Sequence, residues 1–282
     1  MIHSVPICLP HLVSHTSRSG GSILLTIHTL NCGSLCPMVP SVIAPAMVCH
    51  CLLIEGPGGL ILVDTGLGTQ DLLHPMRRLT PLFLLAAHPR LSPEETAIAR
   101  IRALGHDPGD VRDIALTHLD LDHAGGISDF PEATIHLHRA EHEAMVGGDL
   151  RYRRAQWAHG PRWALHEPDG ERWMGFEAVH PLPGCDDVLL VPLQGHTAGH
   201  SGVAIRTGSG WLLHAGDAFF HHRQLLPEPS APPGLALFQR LSDHDPGRRR
   251  HNQARLRELA LAPDSAVRIV CAHDPVYLEG GA

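Results

Sequence analysis

Four predicted strands lead into loops that carry histidine or aspartate. This recurrence constrains the fold more than any other feature of the chain. Asp113–Thr117 reads as a strand and runs into His118-Leu119-Asp120-Leu121-Asp122-His123-Ala124-Gly125-Gly126. Asp187–Pro192 precedes Gly195-His196-Thr197-Ala198-Gly199-His200, Trp211–His214 precedes Ala215-Gly216-Asp217, and Val267–Cys271 precedes Ala272-His273-Asp274. Loops at strand ends are where α/β sheets place their ligand sites. The class expected is therefore α/β, with the chemistry at the strand termini.

The other elements fit that class. Ser22–Leu30, Met47–Glu55, Thr134–His138 and Gly202–Thr207 read as strands, and Leu60–Asp64 as a short buried strand behind the turn Gly56-Pro57-Gly58-Gly59. Pro93–Leu104 reads as a helix capped by Ser92 and closed by Gly105, and Arg139–Val146 and Arg248–Ala260 read as two more. Segments 72–89, 151–175 and 221–245 have weaker periodicity and many Pro, Trp and His, so they are expected as insertions or lids. No linker or repeat interrupts the pattern. The expected organisation is one domain over 1–282 with its core at 22–275.

Composition removes several chemistries. All 22 cationic side chains are Arg, so no lysine exists for a P-loop, a pyridoxal-phosphate Schiff base or a Ser-x-x-Lys nucleophile. A net charge of −7 disfavours nucleic acid as a partner. No apolar run approaches the ~20 residues of a membrane helix, and the start Met1-Ile2-His3-Ser4 lacks a signal-peptide pattern, so a cytoplasmic protein without a membrane partner is expected. Seven Cys, an odd number, point to reduced thiols. Cys8 is one of them, and the pairs Cys32/Cys36 and Cys49/Cys51 read as apolar filler. Arg248-Arg249-Arg250 reads as a solvated helix face. The serine-hydrolase elbow, the zincin helix motif and the dinucleotide fingerprint are absent from the sequence.

The mixed imidazole and carboxylate set suits zinc, or the harder iron or manganese. At these residues the chain resembles the metallo-β-lactamase superfamily of metal-dependent hydrolases. His118, Asp122 and His123 match the first motif, His196 the third, Asp217 the bridging Asp and His273 the last His. Gly-His-Thr-x-Gly-His is similar to the lactonase and glyoxalase II branches. Leu60–Gly66 resembles the element whose Asp, here Asp64, supports the site. The resemblance implies a four-layer αββα sandwich holding two divalent ions. His118, position 120 and His196 would take one ion, Asp122, His123 and His273 the other, and Asp217 would bridge them. Zinc is the expected metal, with iron or manganese as alternatives because of Asp120.

Position 120 departs from the usual signature, which has His there. Asp120 either binds metal, as the Glu of flavodiiron proteins does at that place, or is too short to reach and leaves the enzyme mononuclear. If it binds, two divalent ions, three carboxylates and a bridging hydroxide sum to a neutral site, which favours a neutral ester or lactone over a phosphodiester. The mechanism implied is attack by a metal-bound hydroxide, with Asp122 or Asp217 holding and moving the proton. Related homoserine-lactone hydrolases carry a Tyr three residues after the bridging Asp, where this chain has Phe220. Tyr277, His221 and His222 are the substitutes available, although core or surface roles also explain them.

For His200 a supporting role is expected. His136, His138 and His142 lack a carboxylate at ligand spacing, and Trp157, Trp163 and Trp173 are expected to pack, with a pocket wall as the alternative. The function expected is a metal-dependent hydrolase of a small ester or lactone, such as an N-acyl-homoserine lactone. A glyoxalase II-like thioesterase, a phosphodiesterase and a catalytically inactive metal-binding protein are the alternatives. The expected partner is a small-molecule substrate, and a homodimer is an open option.

Overall fold

The computed structural model describes residues 25–37 and 46–279. Cys8 and residues 22–24 of the expected first strand lie outside them. The strands are β1 (Thr26–Leu35), β2 (Met47–Gly56), β3 (Gly59–Val63), β4 (Pro89–Arg90), β5 (Val111–Ala115), β6 (Thr134–His138), β7 (Arg162–His166), β8 (Glu171–Trp173), β9 (Phe176–Leu182), β10 (Cys185–Pro192), β11 (Ser201–Thr207), β12 (Gly210–His214) and β13 (Val267–Val270). The helices are α1 (Thr69–Leu73), α2 (Pro75–Arg78), α3 (Pro81–Ala87), α4 (Ala97–Ala103), α5 (Leu121–Ala124), α6 (Arg139–Val146), α7 (Pro233–Ser242), α8 (Pro246–Leu261) and α9 (Val276–Glu279). Among the described residues no helix is long and apolar enough to cross a membrane.

Two sheets form, in the orders β4-β1-β2-β3-β5-β6-β7 and β13-β12-β11-β10-β9-β8. The pairs β3/β5, β5/β6, β6/β7 and β12/β13 are parallel, and the others are antiparallel. Strand alternation decides the layering. Leu52, Ile54, Ile61 and Val63 on one sheet pack against Val188, Leu190, Val203 and Ile205 on the other. Leu53, Leu62, Ile114 and Ile135 face the opposite way and bury Ile101 of α4. On the far side Leu213 and Ile269 cover Leu256 of α8. The result is the expected four-layer αββα arrangement in a single domain.

Three sequence expectations change. The helix expected over 93–104 is broken at Thr96, which is extended (φ −71°, ψ 147°) and caps α4 by accepting from Ala99 N at 3.4 Å. Segment 151–175, read as an insertion, contributes β7 and β8, an edge strand to each sheet. Half-buried edge strands carry a weak alternation, which explains the reading. Arg249 is buried and pairs with Asp243 at 2.7 Å, so the arginine run is not wholly a solvated face.

A buried pair, Arg78 and Asp71, helps tie segment 72–89 to the rest. Arg78 Nε donates to Asp71 Oδ1 at 2.6 Å, Nη2 to the Gly125 carbonyl at 3.0 Å and Nη1 to the Ala155 carbonyl at 2.6 Å. Removing the cation strands a buried carboxylate, which costs about 3–5 kcal/mol. Urea unfolding of Arg78→Met is expected to show that loss, and Asp71→Leu added to it should restore much of it. A loss under about 1 kcal/mol would place the pair in solvent-like surroundings.

Candidate metal centre

The strand ends place the polar side chains on one rim of the two sheets. β5 stops at Ala115 because the Thr117 amide leaves the ladder and donates to Asp64 Oδ1 at 2.8 Å. Asp64 follows β3 with a left-handed φ of 55°, which a short polar side chain tolerates best. The loop 118–120 then leads into α5, which carries Asp122 and His123.

Three of the four ligand-type histidines are oriented through Nδ1. His123 Nδ1 donates to Asp64 Oδ2 at 2.9 Å and His273 Nδ1 to the Val48 carbonyl at 2.9 Å. Thr117 Oγ1 gives its proton to Asp64 at 2.8 Å, so it accepts from His118 Nδ1 at 3.0 Å. The Nε2 lone pairs of these three rings therefore point inward. They meet carboxylate oxygens: His123 Nε2 lies 3.4 Å from Asp217 Oδ1, His273 Nε2 3.1 Å from the same atom and 3.7 Å from Asp122 Oδ2, and His118 Nε2 3.8 Å from Asp217 Oδ2. His118 Nε2, His123 Nε2 and Asp217 Oδ1 are buried without a hydrogen-bond partner. Lone pairs converging out of water require a cation or protons between them. The donor set, imidazole nitrogen with carboxylate oxygen, fits a divalent metal.

Sequence reasoning grouped His118, Asp120, Asp122, His123, His196, Asp217 and His273, and the structure brings all seven to this rim. Within 4.8 Å three overlapping groups form: His118, Asp120 and His196; His118, His123 and Asp217; Asp122, His123 and His273. His200 takes the supporting role. Its Nδ1 donates to the Leu193 carbonyl at 3.1 Å, and its Nε2 accepts the Asp217 amide at 2.9 Å, fixing that residue's backbone. Burial, then His118 and His196 beside it, holds the His200 ring well below the usual imidazole range, in keeping with that neutral role. Burial opposes ionisation of Asp217, yet His273 and His123 hold its carboxyl well below the usual range.

The Gly-His-Thr-x-Gly-His motif has a packing reason. A Cβ on Gly195 would stand 2.2 Å from the Arg249 amide, and one on Gly199 2.2 Å from the Glu141 amide. The two glycines let α8 and α6 approach the His196 loop. Buried Glu141 ties the parts together, accepting from Leu119 N at 3.0 Å, Gly199 N at 2.9 Å and the Tyr152 hydroxyl at 2.7 Å.

Three contributors escaped the sequence reading. Arg151 Nε and Nη2 donate to the two Asp120 oxygens at 2.5 Å each, and Nη2 also reaches His196 Nε2 at 2.7 Å. Asp243 Oδ1 lies 3.5 Å from His196 Nδ1. Glu141 is the third. Burial opposes charge on Asp120, but Arg151 and then His118 hold it well below the usual carboxylate range. Asp120 thus meets an arginine at the site, a partner that neither reading of position 120 included.

Several other residues sit apart. Tyr277 packs on the second core beside Phe219, and His222 Nδ1 pairs with Asp274 at 2.8 Å under the stacked His221 ring. Trp157 and Trp163 pack on the first core and Trp173 on the second. His136 pairs with Asp113 at 2.8 Å, a carboxylate outside ligand spacing in the sequence that the neighbouring parallel strand supplies. All six described cysteines are free thiols.

A cavity of about 450 Å³ opens on the centre. Its floor includes Asp120, Asp122, His196, Asp217 and His273, and its walls include Leu35, Met47, Phe83, Phe220 and Phe238. Tyr277, His221 and His222 are not among its lining residues.

A model of the metallo-beta-lactamase superfamily matches residues 44–273. The probable metallo-hydrolases Rv2300c of Mycobacterium tuberculosis and Mb2322c of Mycobacterium bovis are each 45% identical over 255 residues, 88% of this chain and 80% of theirs. An N-acyl homoserine lactonase of Bacillus cereus is 30% identical over 172 residues, 60% of this chain and 63% of that protein. Among solved structures, an N-acyl homoserine lactone hydrolase with bound N-hexanoyl-L-homoserine has a TM-score of 0.67 at 23% identity, covering 90% of this chain and 94% of its own. The dizinc quorum-quenching lactonase AidC reaches 0.60 at 19%, covering 89% and 88%. With its strand-end histidines and aspartates in place, the chain belongs to the metallo-beta-lactamase superfamily, a family of metal-dependent hydrolases.

Proposed function

We propose that this chain hydrolyses a small ester or lactone that carries an acyl chain. The observation that carries the reading is the cavity: an apolar chamber walled by Leu35, Met47, Phe83, Phe220 and Phe238 whose floor is the His/Asp centre. Such a shape buries a hydrocarbon tail while presenting the reacting carbonyl to polar groups. The N-acyl homoserine lactonases among the similar proteins support the same substrate class.

His123, His273, Asp122 and Asp217 would hold a divalent ion, with His118 at its border. When bound, the ion supplies Lewis acidity and makes a nearby water more acidic. The chain's own groups do the rest. His200 and Asp64 keep Asp217 and His123 in register without facing the substrate. Phe220 stands edge-on to His273 at 5.1 Å and closes the apolar wall above it, excluding bulk water. The leaving alkoxide needs a proton, and the position of the lactonase Tyr is Phe220. Asp122 lines the cavity, so it takes the proton of the attacking water and returns it to the leaving oxygen.

Two outcomes are expected. Dipicolinate treatment should abolish hydrolysis of an acyl-homoserine lactone panel and added zinc restore it, while Asp122→Asn should lower kcat by about 100-fold or more with KM little changed. Intact turnover in either experiment would remove the proposed chemistry. Acyl length provides the second check. Each buried methylene adds about 0.8 kcal/mol, so kcat/KM should rise from butanoyl to octanoyl substrates. Phe238→Ala should flatten that rise by lowering the octanoyl value. A panel indifferent to chain length in the unaltered protein would contradict the acyl role of the cavity.

A further inference from the structure

We infer that Arg151 is the second cation of this centre: its guanidinium fills the half-site of His118, Asp120 and His196, and the chain binds a single divalent ion at the other half. The inference rests on the metal-dependent reading above and adds to it a residue, a stoichiometry and a reason for Asp at position 120.

Two of the half-site's three donors are already committed, and the third, His118 Nε2, lies 3.3 Å from the Asp120 oxygen that Arg151 holds. Both Asp120 oxygens accept from Arg151 at 2.5 Å in a fork-to-fork pair. A guanidinium can only donate, so His196 Nε2, 2.7 Å from Nη2, is the acceptor. His196 then carries its proton on Nδ1, towards Asp243 Oδ1 at 3.5 Å. Arg249 Nε holds the other oxygen of Asp243 at 2.7 Å. The lone pair that a metal would take from His196 is thus occupied, and so is the carboxylate beside it.

Arg151 is held in place from two further directions. Its Nη1 donates to the Ser242 carbonyl, at the C-terminal end of α7 where the helix dipole favours a cation. Its neighbour Tyr152 is buried and bonded to Glu141, the same carboxylate that holds the loops of His118 and His196. The arginine is therefore built into the scaffold and does not hang from a free loop.

Charge points the same way. One divalent ion with the guanidinium balances Asp120, Asp122 and Asp217. A second divalent ion beside Arg151 would set five positive charges against those three carboxylates in a site with little water to screen them. Asp suits the position because its short carboxylate meets the planar fork, whereas His there would face the guanidinium as a single acceptor.

The test counts ions in the unaltered protein. The chain is stripped with dipicolinate, dialysed against excess zinc, and its zinc content read by plasma mass spectrometry and native mass spectrometry. One ion per chain is expected, rising to two in Arg151→Met and Arg151→Gln, each checked for folding by circular dichroism. Reloading with cobalt(II) should give an uncoupled electron paramagnetic resonance signal in the unaltered chain and a spin-coupled pair in the variants. Two ions in the unaltered chain overturn the inference whether or not the variants fold. One ion persisting in both folded variants also overturns it. No bound ion in the unaltered chain refutes the metal-dependent reading itself, so the two failures are distinguishable.

Discussion

The centre depends on one electrostatic arrangement: bare imidazole nitrogens and carboxylate oxygens forced together out of water. His118, His123 and His273 each spend Nδ1 on Thr117, Asp64 or the Val48 carbonyl, so Nε2 has no alternative but to point inward. Asp217 receives them with a backbone fixed by His200. The cluster needs a cation or protons between its donors, and the fold maintains it because strands of both sheets bring the loops there. Every neighbouring feature, from the left-handed Asp64 to the glycines flanking His196, serves that convergence.

The rim divides into two unlike halves. On one side Asp122 and His273 line the cavity, and the buried His123 Nε2 has no hydrogen-bond partner. On the other, Asp120 and His196 are engaged by Arg151. This asymmetry gives the site a polar end and, through Phe220 and Phe238, an apolar end. An acyl ester matches both, since its carbonyl and its tail need opposite surroundings.

Much of this was legible in the sequence because the ligands follow strands at short range. His118 to His123 lie on one loop, and the order of His196, Asp217 and His273 repeats the strand-to-loop pattern. The α/β class followed from the same pattern, and the four-layer architecture from the family resemblance. Arg151, Asp243 and Glu141 were not legible. Arg151 lies 31 residues from its partner Asp120 in a segment without clear periodicity, and only the docking of that segment brings them together. Asp243 is likewise distant in sequence from His196, and Glu141 sits on α6 as one acidic residue among several. Side chains that support a site through tertiary contact leave no spacing to read. The helix expected over 93–104 failed for a local reason, since Thr96 is a good cap and starts a new helix in the middle of the span.

The most direct measurement of the centre is an anomalous difference map at the zinc edge from crystals grown with zinc. One strong peak is expected within coordinating distance of His123, His273, Asp122 and Asp217, with Arg151 still on Asp120. A map with no peak there, or with its peak at His28, Glu55 and His106 instead, would contradict it.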